Sequence, residues 1–120
     1  MQLTPAYRVI TFVPPESVEG VLRAVKVVDP LRYGDYAEVS WRSAPGTERF
    51  LTEEGAHPTL GAVGRLTDGP SVRIEFSVPR QHDLLEAVVT ALLRAHPWEE
   101  PVVLVHEVQD ARGIKKLLNA

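Results

Sequence analysis

The sequence predicts an α+β fold, with two helices laid on one face of a mostly antiparallel sheet. Three observations carry that prediction. Residues 15–25 and 81–95 each show one apolar stripe at helical spacing. Each stretch directly follows a strand-like run that ends in proline, at Val13-Pro14 and at Val78-Pro79. The full order reads strand, helix, strand, strand, helix, strand, which is the ferredoxin-like βαββαβ arrangement.

The first strand is read over residues 7–13, where β-branched and aromatic side chains dominate. Tyr7, Val9 and Val13 fall on one face, and Ile10 and Phe12 on the other. Two apolar faces suit a covered strand. Pro14-Pro15 ends it, and proline is accepted in the first turn of the helix that follows. There Val18, Val21, Leu22 and Val25 form the buried stripe, with Glu16 and Glu19 at the positive end of the dipole. Residues 27–33 read as a connection, punctuated by Asp29-Pro30 and Tyr33-Gly34-Asp35.

Residues 36–42 alternate, with Ala37, Val39 and Trp41 opposed to Glu38 and Ser40, so a half-exposed strand is expected. Ser43-Ala44-Pro45-Gly46 reads as a turn and residues 47–51 as a return strand, which makes an extra hairpin. Residues 53–69 keep no period and are rich in glycine. A loop this long in a small domain is usually functional or packed on a partner.

Residues 72–78 form the clearest strand, with Val72, Ile74, Phe76 and Val78 alternating against Arg73, Glu75 and Ser77. Residues 81–95 form the clearest helix, on a stripe of Leu84, Leu85, Val88, Val89, Leu92 and Ala95. Pro97 requires that helix to stop. Pro101 opens the apolar strand 102–105, expected at the centre of the sheet. The tail, residues 109–120, is read as a short helix with Ile114, Leu117 and Leu118 on one side.

The 120 residues are read as one domain. A hydrophobic share of 44% and a charged share of 24% argue against disorder. A net charge of −3 with no basic stripe argues against nucleic-acid binding. With no cysteine, disulfides, thiolate metal sites and cysteine nucleophiles are excluded, and a reducing, cytoplasmic setting is expected. No apolar run nears the roughly 18 residues that suggest a membrane span, so no membrane partner is expected.

Chemically capable side chains gather in one stretch, Arg94-Ala95-His96-Pro97-Trp98-Glu99-Glu100-Pro101. One reading is a structural turn. In it His96 caps helix carbonyls, Trp98 packs at an edge, and Glu99 or Glu100 accepts backbone N–H groups from the glycine-rich loop. A second reading is a ligand site of His57, Gly61, Gly64, His96, Trp98, Glu99 and Glu100. Within it His57, His96 and Glu100 could hold a divalent metal, since imidazole and carboxylate are competent ligands. Catalysis is the third reading, but His-x-x-Glu-Glu is no catalytic signature by itself. The loop itself reads either as an anion cradle or as a tight packing loop. It lacks the Gly-Lys-Ser/Thr ending of a phosphate-binding Walker loop. His82 and His106 have no partner pattern, and no serine sits in a nucleophile elbow.

Three motifs in order resemble a known family. They are Gly34-Asp35-Tyr36, Gly55-Ala56-His57-Pro58-Thr59-Leu60-Gly61-Ala62-Val63-Gly64 and Ala95-His96-Pro97-Trp98-Glu99-Glu100-Pro101. Together they resemble the YqfO-type domain, which is inserted in many Nif-three-like dinuclear-metal-centre proteins and also occurs alone. The chain departs from that family's pattern at His57, usually asparagine, and at Trp98, usually tyrosine. The resemblance implies a CutA/PII-like relative of the ferredoxin fold and a homotrimer whose sheets pack around an axis. It supplies no activity, because the family's dinuclear metal ligands lie in a flanking domain. The expected role is a trimeric module that is not catalytic and recognises a small molecule or a protein. The alternative is a protein that binds a divalent metal.

Overall fold

The computed structural model describes residues 2–113. β1 (Gln2–Val13) begins well before residue 7. Pairing extends it: Gln2 to Thr11 lie opposite β5 (Val103–Arg112), from Arg112 to Val103. A 3-10 turn at Pro15–Ser17 leads into α1 (Val18–Val28), which buries Val18, Val21 and Val25. Each valine taken fully from water contributes about 1.5–3 kcal/mol.

The strand expected over residues 36–42 forms only at its end, as β2 (Trp41–Arg42). The preceding backbone is used elsewhere. Glu38 N–H donates to the Pro30 carbonyl at 2.8 Å, and Val39 N–H to the Leu31 carbonyl at 2.9 Å. Glu38 also has a φ of 58°, in the left-handed region that strands avoid.

β3 (Gly46–Leu51) does not fold back on β2, which corrects the hairpin expected there. Both strands lie along β4 (Leu66–Pro79), with Arg42 opposite Ile74 and Gly46 opposite Ser71. The break between them is bridged at Ser43. Its N–H donates to the Arg73 carbonyl at 2.9 Å, and its Oγ accepts from Arg73 N–H at 2.8 Å. The hairpin in this molecule is therefore β3–β4, joined by the glycine-rich loop.

The sheet order is β2-β4-β1-β5, with β3 beside the first half of β4. β4 meets β1 only from Val72 onward, so the β3–β4 hairpin projects beyond the sheet and the molecule is 61 Å long. α2 (His82–Ala95) packs beside α1 on one sheet face. Val9, Val13, Ile74, Phe76, Val88 and Leu92 close the core between the layers. This is the α+β, ferredoxin-like βαββαβ sandwich.

β5 is an edge strand, not a central one. Its apolar side chains mark surface left open, since Leu104 is 44% exposed and Val105 42%. Residues 109–112 belong to β5, which corrects the tail helix at its start. The rest of that expected helix, residues 114–120, lies outside the described residues. The face of the sheet away from the helices carries Arg8, Ile10, Phe12, Trp41, Arg73, Glu75 and Leu104, by strand alternation and register. There Arg8 Nε lies 3.3 Å from Glu75 Oε1, and the Arg73 guanidinium stands 5.7 Å from the Trp41 ring centre.

Candidate functional site

The end of α2 builds one wall of the site. His96 N–H closes the helix on the Leu92 carbonyl at 2.9 Å, and Pro97 prevents another turn. The His96 side chain is buried, at 5% exposure, and does not cap helix carbonyls. Its Nε2 lies 2.7 Å from the Phe12 carbonyl of β1, and its Nδ1 accepts Trp98 N–H at 3.0 Å. A carbonyl only accepts, so Nε2 carries the proton and the ring is neutral. Both ring nitrogens are then spent on backbone, and His96 has no lone pair left for a metal ion.

Trp98 follows, half-buried between two rings. Its ring centre lies 5.6 Å from that of Phe50 and 5.6 Å from that of His96, both tilted. Glu99 then reaches the glycine-rich loop. Its Oε2 accepts His57 N–H at 3.1 Å and lies 3.3 Å from His57 Nδ1. Thr59 Oγ1 donates to the Pro97 carbonyl at 2.9 Å. The turn therefore clasps the loop through Glu99, as the structural reading of the sequence expects. Glu100 is exposed and makes no side-chain hydrogen bond or ion pair among the described residues.

The loop is shaped by close approach. At Gly61 φ is +88°, and a Cβ there would stand 2.6 Å from Thr67 Oγ1. At Gly69 a Cβ would stand 2.7 Å from Leu60 Cδ2. At Gly61 the left-handed backbone favours glycine, and at both positions a larger residue would have to push a neighbouring side chain aside. Gly64 N–H donates to the Thr52 carbonyl at 2.7 Å.

Between the β3 side, the loop and the turn lies an open cleft of about 580 Å³. Phe50, His57, Leu60, Trp98, Glu99 and Glu100 are among its walls. Gly61 and Gly64 do not line it; they set the loop's path behind it. The sequence reading missed Glu48, Phe50, Glu53 and Glu54. The Glu53-Glu54 pair beside the loop was a visible signal, whereas nothing local marks Phe50. Next to the cleft, Arg49 Nε donates to Asp68 Oδ1 at 2.9 Å. That hydrogen bond, with the guanidinium charge, holds the Asp68 carboxyl below its ordinary range and raises Arg49.

Among the described residues, His82, Asp83 and Glu86 are the group of three whose donor atoms come within 4.8 Å of one another. All three are exposed near the start of α2. His57, His96 and Glu100 do not form such a group. No helix among the described residues is long and apolar enough to cross a membrane.

No family model matches the chain. Among curated proteins it is similar to the GTP cyclohydrolase 1 type 2 homolog of Mycobacterium tuberculosis, 37% identical over 92 residues. That match covers 77% of this chain and 24% of the relative, so the chain spans about a quarter of the relative's length. A Bacillus cereus protein related to NIF3 has a similar solved structure, with a TM-score of 0.73 and 29% identity, over 94% of this chain and 28% of that one. The periplasmic divalent cation tolerance protein CutA from Archaeoglobus fulgidus shares the fold, with a TM-score of 0.59 at 12% identity, over 95% of this chain and 92% of that one. The chain is a homologue of one segment, about a quarter of the length, of the NIF3-family GTP cyclohydrolase 1 type 2 homologs, and it has a CutA-like fold.

Proposed function

We propose that this chain is a recognition module, not a catalyst, that takes a small ligand in the cleft between the β3–β4 hairpin and the His96–Glu100 turn. The cleft itself carries the reading. At about 580 Å³ it is in the size range of small-molecule sites, and its walls come from two stretches far apart in sequence, residues 48–60 and 98–102. Two of the groups that could do chemistry, His96 and Glu99, are already committed to structure. His96 is held by two backbone groups, and Glu99 by the loop. Neither forms the nucleophile-and-base pairing that covalent catalysis needs.

The active assembly in this reading is a homotrimer whose sheets face one another. Trp41 and Leu104 support it, since large apolar side chains left exposed on one face mark a contact surface. A divalent cation is a second ligand class. His57 Nδ1 and Glu99 Oε2, 3.3 Å apart, would be its donors, and Glu100 is the nearest further carboxylate in sequence.

A thermal-shift screen of metabolites, nucleotides and divalent ions tests the reading. A ligand should raise the melting temperature, and the shift should be lost in Trp98→Ala. A panel without any shift would remove the recognition reading. Metal analysis of wild type and His57→Ala decides the cation class, since equal metal content in both would dismiss it.

A further inference from the structure

We propose that the cleft selects a small organic cation: an ammonium or guanidinium group on a slender apolar body. This rests on the recognition reading above and names the ligand's chemistry. Three features of the same cleft lead there. The first is its aromatic wall. Phe50 and Trp98 pack against each other and both border the open space, which suits an apolar ligand body. An aromatic face also attracts a cation, most strongly at tryptophan.

The second is the sign of its charge. Glu48, Glu53, Glu54, Glu99 and Glu100 line the cleft, against Arg49 and His57. Arg49 is paired with Asp68, so its charge is already matched. Glu48 accepts Ser71 Oγ–H at 2.9 Å, and Glu99 is tied to His57. Glu53, Glu54 and Glu100 make no side-chain hydrogen bond or ion pair among the described residues. Low-dielectric walls lined by one sign of charge concentrate the opposite sign.

The third concerns the glycine-rich loop. Such a loop invites an anion, because its N–H groups can converge on phosphate. Here the protein's own carboxylate accepts His57 N–H. A phosphate placed there would have to displace Glu99 and then sit among the remaining carboxylates. The cleft is thereby closed to nucleotides and open to amines.

Isothermal titration of the full chain with agmatine and with spermidine tests this, with ATP, inorganic phosphate and a neutral alcohol of similar length as contrasts. Agmatine should bind, and its affinity should fall about tenfold when salt is raised well above physiological levels. The triple variant Glu53→Gln/Glu54→Gln/Glu100→Gln changes only exposed side chains and should keep its circular dichroism. It should bind agmatine about tenfold more weakly, a loss of about 1.4 kcal/mol. Trp98→Phe should weaken binding less than the charge variant. Equal agmatine affinity in wild type and the triple variant would overturn the inference. So would binding of ATP or phosphate that depends on Trp98, although a recognition cleft would then still stand. A basic peptide that binds where agmatine does not would overturn the small-ligand claim. Silence across all five probes would overturn the cation claim, while the broader screen separately decides recognition.

Discussion

His96 joins three parts of the molecule with one neutral ring. It links the end of α2, the Phe12 carbonyl of β1 and the Trp98 backbone. Replacing it by alanine leaves a buried carbonyl and an N–H without partners, at a cost of about 1–3 kcal/mol for each such group. His96→Ala should therefore lower the urea midpoint. It should also speed amide exchange at His57, because the turn that presents Glu99 is released. Unchanged exchange at His57 would mean that the clasp does not depend on the ring. Gly61 gives a second residue-scale test. Alanine there must accept a left-handed φ, at about 1–2 kcal/mol. It must also push aside Thr67, whose Oγ1 would be 2.6 Å from the new Cβ. Gly61→Ala should destabilise, and adding Thr67→Ala should recover only the steric part. Full recovery in the double variant would show that the backbone strain is negligible. The candidate site was partly legible at this scale. The His-Pro-Trp-Glu-Glu run announces a tight, polar turn from its own residues. The Phe12 carbonyl that fixes His96 stands 84 positions away, and no local pattern encodes it.

The β3–β4 hairpin is the element that holds the cleft out from the sheet. Before Val72 it has no β1 partner, so its own cross-strand pairs carry it. Arg49 and Asp68 face each other across it. Asp68 titrates below its ordinary value of 3.8, chiefly because Arg49 donates a hydrogen bond to the ionised form. A carboxyl lowered by folding stabilises at pH values above the ordinary one and loses that contribution as pH falls through the lowered one. Amide exchange in β3 should therefore rise as the solution is taken below about pH 4. The rise should be smaller in Asp68→Asn and at high salt, since the pair is exposed and screened. A variant with the same acid profile as wild type would dismiss the pair. Elements differed in how well the sequence announced them. Residues 72–78 alternate and pair with β1 throughout, and with β2 at Ile74 and Glu75, so pattern and structure agree. Residues 36–40 alternate as well, yet the N–H groups of Glu38 and Val39 go to Pro30 and Leu31. Alternation fits a strand only if a partner strand is in reach.

At the scale of the whole molecule, the helix-free face leaves large apolar side chains open among the described residues. Trp41 is 49% exposed and Leu104 44%. Covering such a face by subunit association is the usual solution in small open sheets. Light scattering should report a trimer, and Trp41→Glu or Leu104→Glu should yield a monomer that keeps its circular dichroism. A wild-type monomer at micromolar concentration would sink the trimer. The fold class was legible because it rests on short-range physics. Valine and leucine spacing makes the two helices, prolines end strands and helices, and alternation makes β4. Those effects act within a few residues, so the sequence by itself determined the order of elements and the α+β class. Only the tertiary structure decided that the apolar β5 is an edge and that β3 runs along β4 instead of returning on β2. It alone decided that Glu99 occupies the loop's N–H and that Phe50 meets Trp98. Each of those outcomes depends on which distant segments come together, and that is settled by the packing of the whole chain.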